Sequence, residues 1–277
     1  MTQTPAPPPS GAPTVGDHLR AWRRRRRLSQ LACALEADVS QRHLSFVESG
    51  RAKPSREMLL RLADRLEAPL RERNAILLAA GFAPVYPERP LDAPEMAAAR
   101  AAVERILKGH EPFPALAVDR RWTLLAANAG VEAMLALVED PALLAPPVNV
   151  LRLSLHPRGL APRIVNLAEW RAHVLERLRG QAILAPDAAL DALIEELADY
   201  PAPRPSPRPH PDPLAGIAVP LKLAMGGREL SFLTTTTVFG TAAEVTLSEL
   251  TLECFFPADA ATAEALTGLA PAPRAEA

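Results

Sequence analysis

The chain has 277 residues, 48% hydrophobic and 23% charged, a balance that suits a soluble protein long enough for two cores. Its formal net charge of −1 conceals two unlike parts: Val15 to Ala83 holds 14 basic against 8 acidic residues, and the remainder 17 against 24. Cys33 and Cys254 stand in no disulfide or zinc spacing, no apolar run approaches the roughly 20 residues that cross a bilayer, and no secretory signal is read, so disulfide scaffolds and membrane spans are set aside and the cytoplasm is expected.

Residues 1–14 are rich in Pro, Thr and Ala and read as a disordered tail. Val15 to Arg26 reads as an opening helix with Val15, Leu19 and Trp22 on one face. In Leu28 to Pro54, Ser29 is a good N-cap for a helix over Gln30 to Ala37. Asp38 occupies a sharp left-handed turn, and Ser40 caps a second helix over Gln41 to Ser49. Ala34 at the crossing, with Val39, Leu44 and Val47, forms the inner surface; Gln41, Arg42, His43 and Ser45 are left outside. Ser55 opens a helix carrying Met58, Leu59, Leu62 and Leu66, and Pro69 opens a fifth that Gly81 stops after Ala80. The segment 15–83 is therefore expected to be an all-α five-helix domain.

A connector, 84–110, contains a short helix from Pro94 to Lys108. From 111 to 258 the pattern is α+β. A hairpin pairs Ala115–Val118 with Trp122–Ala127 around a turn at 119–121. A helix through Val131, Met134, Leu135 and Val138 follows, then helix faces marked by Leu167, Trp170, Val174, Leu175 and Leu178, and by Leu190, Leu193, Ile194 and Leu197. Proline at every odd position from Pro201 to Pro213 reads as a stiff linker rather than a docking motif. Ile217, Val219, Leu221 and Leu223 then line a strand, Gly226-Gly227 makes a hairpin turn, and Leu230 to Val238 and Leu250 to Phe256 alternate as two more. Residues 259–277 read as a tail with room for one short helix.

The outward residue types in 28–54 suit base reading. Gln bridges adenine N6 and N7 and Arg bridges guanine O6 and N7 through paired hydrogen bonds, while Arg51 and Lys53 just past the helix are placed for phosphate. The Arg23 to Arg27 block adjoins this pair, but five consecutive helical residues point all round, so only part of it can face DNA. With its Ser29-Gln30 start, Asp38-Val39-Ser40 turn and VESGRAKPS string, the segment resembles the Cro/C1-type (XRE) helix-turn-helix family. That resemblance implies DNA contacts at Gln30, Ser40, Gln41, Arg42, His43, Ser45, Arg51 and Lys53, and binding to a double-stranded operator as a homodimer.

Three strings, PALAVDRRWTLLAANAG, LRLSLHPRGLAPRIVNLAEWRAHVLERLR and LTLECFFPADAATAEAL, resemble the ligand-binding domain of the MmyB-like transcription regulators. The resemblance implies a PAS-like antiparallel sheet with helices around a cavity, and a small lipophilic, fatty-acid-like ligand. The polar groups His156, Arg163, Asn166 and Trp170 are candidates to meet that ligand, with Arg163 or His156 facing its carboxylate. Each of these could equally cap a helix or pair with a neighbouring carboxylate, and the mixed inner faces suit a filled core as well as a cavity. No nucleophile elbow, phosphate loop or metal-ligand spacing occurs, so neither catalysis, metal nor other cofactor is expected. The leading expectation is a ligand-responsive transcription regulator; the alternative keeps the DNA-binding domain and makes the rear domain a ligand-free dimerisation or protein-docking platform.

Overall fold

The computed structural model describes residues 12–203 and 218–269. One compact unit runs to Arg89 and takes in Thr241–Ser248; the other begins at Pro90 and comprises the rest. The first eleven residues, Ile217 and most of the proline-rich segment lie outside the described residues.

The front unit is built from α1 (Val15–Arg25), α2 (Gln30–Glu36), α3 (Gln41–Glu48), α4 (Arg56–Arg65) and α5 (Leu70–Ala79). Serine sets three of the starts. The hydroxyls of Ser29, Ser40 and Ser55 accept the backbone N–H of Ala32, His43 and Met58 at 3.0–3.2 Å. Thr14 and Asp17 close a reciprocal capping box on α1. The ends share one device: Arg27, Asp38, Gly50, Glu67 and Gly81 all have φ between 50° and 84°. After each, the next residue's N–H returns to a carbonyl in the last helical turn, as in Val39 to Ala34 at 2.9 Å and Phe82 to Leu77 at 2.9 Å. Leu19, Trp22, Leu44, Leu59, Leu62 and Ile76 meet in the core. α1 crosses the end of α3 so closely that a Cβ at Gly16 would lie 2.5 Å from the Glu48 carbonyl oxygen, which only glycine permits.

The rear unit starts with a 3₁₀ turn, Pro94–Met96, and α6 (Ala97–Gly109). The hairpin β1 (Ala115–Val118) and β2 (Leu124–Ala127) leads to α7 (Ala129–Leu135), α8 (Val150–Leu155), α9 (Leu167–Leu184) and α10 (Ala188–Asp199). Then come β3 (Leu221–Met225), β4 (Arg228–Val238), β5 (Thr251–Pro257) and α12 (Ala260–Leu269), while the short α11 (Val245–Glu249), between β4 and β5 in the chain, falls in the front unit but for its last residue. The sheet is antiparallel with order β2-β1-β5-β4-β3. Gly226 and Gly227, at φ 61° and 73°, turn β3 into β4.

Both faces of the sheet are covered, which explains why β1 is buried at all four positions. Ala115 and Ala117 join Leu252 and Cys254 in a cluster with Val103 and Leu107 of α6. Leu116 and Val118 join the larger core with α8, α9 and α10. The free edge of β3 is closed by the stretch before α9: Val165 N–H donates to the Lys222 carbonyl at 2.8 Å, and Ile164 bridges Leu223. Burial pushes the Cys33 thiol up to about 11 and also raises that of Cys254, consistent with inert packed thiols.

Four local expectations change. The strand expected from Trp122 begins at Leu124, because Trp122 itself holds the turn at φ 65°. The strand expected through Val219 begins at Leu221, beside the covering stretch it pairs with. Helix α7 stops at Leu135, short of Val138. The short helix for which the tail has room is α12, but it is docked rather than part of a free tail: its Leu266 enters the main core and its Thr262 accepts the Ser231 N–H at 3.0 Å.

Asn128, at the end of β2, is a buried clamp. Its amide nitrogen donates to the carbonyls of Leu107 and Phe113 at 3.0 and 2.8 Å, and its oxygen accepts the Ala115 N–H at 3.0 Å. Asn128→Ala takes a side-chain partner from three backbone groups at once, leaving the Leu107 carbonyl only its bond from the His110 N–H, and is expected to cost the rear unit about 2–4 kcal/mol. A thermal or urea melt checks this; Asn128→Asp, which cannot donate, should rescue little.

Candidate DNA-reading face and ligand cavity

In the front unit, Gln41 and Arg42 are exposed at the start of α3, with His43 and Ser45 half-buried behind them. Leu44, Val47 and Glu48 are buried on the opposite side, so the helix is held from within and its first turn is open. Arg51 and Lys53 are exposed just beyond. Phe46 was not expected to matter. Its half-buried ring lies 5.4 Å from the Arg42 guanidinium carbon and 5.9 Å from that of Arg51, holding both cations beside the reading turn. The i+4 spacing from Arg42 to Phe46 is the signal that could have revealed it.

Two expected contacts are placed differently. The Ser40 hydroxyl oxygen is engaged as the α3 cap. The Gln30 amide donates to Glu48 at 2.8 Å and so is drawn inward. Glu48 is the centre of this wiring: Arg23 grips its carboxylate at 2.6 and 2.9 Å, and Arg20 donates to its backbone carbonyl. Burial would raise the Glu48 carboxyl, but Arg23, Gln30 and Arg20 outweigh it and hold the group below its ordinary value. The arginine block thus divides by role. Arg23 is internal, Arg25 stacks 4.8 Å over the Trp22 ring, and Arg26 pairs with Glu67 at 2.6 Å. Arg24 and Arg27 are exposed.

The rear unit holds a cavity of about 90 Å³ between the sheet and α7, α8 and α9. Its wall is almost wholly apolar, with Leu116, Leu124, Met134, Leu151, Val174 and Phe255 among its lining. Five polar side chains interrupt it: Ser154, His173, Arg177, Thr234 and Glu253. Arg177 meets Glu253 at 2.5 and 3.2 Å, each also hydrogen-bonds the Thr236 hydroxyl, and the guanidinium carbon sits 4.6 Å from the Trp122 ring centre. Burial, then the charge of Arg177, lowers the His173 pKa, so its imidazole is neutral near pH 7.

Of the four residues expected to meet a ligand, Trp170 lines the cavity, its indole N–H donating to Ser154 Oγ at 2.9 Å. The other three do other work. Arg163 is exposed in a 3₁₀ turn, Ala161–Arg163. His156 packs edge-on against Tyr200 and accepts the Arg158 N–H at its own Nδ1. Asn166 bridges the Pro220 carbonyl and the Lys222 N–H, securing the edge of β3.

The residues that do line the cavity sit at readable spacings. Trp170, His173, Val174 and Arg177 follow one face of α9. Glu253 and Phe255 lie on the β5 face opposite Leu252 and Cys254, and the latter two pack with α6. A strand covered on both sides carries no marker of which side holds the void.

Among the described residues no cluster of metal-ligating side chains occurs, and no helix is long and apolar enough to cross a membrane. No curated protein matches the chain. The family of the helix-turn-helix domain matches residues 14–76, which span α1 to most of α5. The family of the MmyB-like transcription regulator ligand binding domain matches residues 99–269, from α6 to the end of α12 and so around the whole cavity. With that match covering more than half of its length, and a helix-turn-helix in front, the chain belongs to the MmyB-like transcription regulators.

Proposed function

We propose that this regulator binds its operator sequence-specifically as a homodimer, and that the rear domain senses a small lipophilic ligand carrying an acyl-type chain. The observation that supports sensing is the apolar cavity, which a docking platform with a filled core would lack. The strand order β2-β1-β5-β4-β3 supports the PAS-like reading. Base reading is carried by Gln41 and Arg42, with His43 and Ser45 behind them; Arg51, Lys53 and the outward N–H groups at the start of α3 hold phosphate. A dimer places two such helices about one turn of duplex apart on a two-fold site. For the ligand to regulate, it must favour one spacing of the two reading helices over the other.

The experiment is selection of duplexes from a random pool by the full chain, followed by titration of the selected operator with and without an alkyl-chain ligand. A two-fold consensus and a ligand-dependent change in affinity are expected. A pool that stays random would sink the DNA-reading assignment. A firm consensus indifferent to every alkyl ligand, with no binding to the rear domain, would return that domain to a platform.

A further inference from the structure

Resting on the sensing assignment, and naming the chemistry of the ligand's polar end, we propose that the cavity selects an uncharged head group, such as an alcohol, amide or ester carbonyl, over a carboxylate. The argument starts from which polar groups in the wall are already used. Arg177 is the cation of the lining, and Glu253 occupies it through two contacts at 2.5 and 3.2 Å, with Thr236 closing the set. The Glu253 side chain is 6% exposed, so this carboxylate is kept in place by its partners rather than by water. A ligand carboxylate brought into this wall would meet an arginine whose charge is already balanced, beside the negative charge of Glu253.

Three uncharged groups retain bonding capacity. Ser154 accepts from the Trp170 indole at 2.9 Å, and its own O–H proton has no acceptor among the described residues. The Thr234 hydroxyl and the His173 ring line the cavity with no hydrogen-bond partner among those residues. His173 packs 5.7 Å from the ring of Trp170, the residue whose indole N–H meets Ser154. Two hydroxyls and a neutral imidazole offer both donors and acceptors, the kinds of group that an alcohol or amide pairs with. They offer no net positive charge, so an ionised carboxylate would lose hydration without recovering it. A fatty acid is then accommodated in its protonated form.

The test compares decanol, decanamide and decanoate binding to the full-length protein at pH 8 by calorimetry. Decanol and decanamide should bind at least about tenfold more tightly than decanoate. In Glu253→Gln, which frees Arg177, decanoate should gain about tenfold while decanol is unchanged. Decanoate binding as tightly as decanol to the unaltered protein would overturn the head-group inference and leave sensing intact. Failure of all three probes to bind would overturn both. Because the first comparison needs no substitution, instability of the variant does not protect the idea.

Discussion

Glu48→Ala should be the most damaging single change in the front unit. Alanine leaves the half-buried Arg23 guanidinium without its carboxylate and removes an acceptor from Gln30, so α1, α2 and α3 lose their shared anchor at once. Breaking one side of a buried pair costs about 3–5 kcal/mol, a large share of the roughly 5–15 kcal/mol that holds a typical domain together. Hydrogen exchange of the α1–α3 amides is the appropriate readout, because two units need not unfold in a single step. Replacing both partners, as in Arg23→Met with Glu48→Met, should recover much of the loss, since no charge is then left stranded.

The same pair carries a pH signature. The Glu48 carboxyl lies below its ordinary 4.5 in the folded unit, so its contribution is complete above that value and is lost as pH falls through the folded value. The front unit should therefore weaken progressively below about pH 4.5, and Glu48→Gln should flatten that acid limb. An acid limb unchanged in the Gln variant would assign the weakening to other carboxylates.

Gln41→Ala with Arg42→Ala should remove most sequence preference while leaving the fold untouched, because both side chains are exposed on the open turn of α3. A bidentate base contact is worth about 1–3 kcal/mol of discrimination, so the pair should relax selectivity by roughly 2–6 kcal/mol if both read bases. Fluorescence anisotropy on the selected operator and on a scrambled duplex separates the two terms. Lys53→Ala should behave differently, weakening both duplexes equally and reducing the salt slope by about 1. Retained preference in the double variant would move base reading to another surface.

The front unit was legible because its signals are local. Serine caps, the left-handed Asp38 and the terminating Gly81 act within one turn of helix, and each is found where its neighbours in the chain require it. The rear unit was legible in its order of strands and helices for the same reason. Its cavity was not. His156, Arg163 and Asn166 looked like ligand contacts because they are polar residues in a helical region, but folding assigns them to a ring contact, an exposed turn and the β3 edge. Nothing local to β5 marks Glu253 as a cavity residue, and folding makes it the partner of an arginine on a helix 76 residues earlier in the chain.

The chain by itself therefore determined the five front helices, the outward face of α3, the antiparallel sheet and the uneven charge, all of which follow from patterns a few residues long. Only tertiary structure decided that Gln30 and Arg23 turn inward to Glu48, and that Arg177 is neutralised where a ligand's head would lie. The physical reason is range: a cap or a turn is settled by neighbours along the backbone, whereas the charge and bonding capacity left over in a wall depend on which distant groups have already been matched.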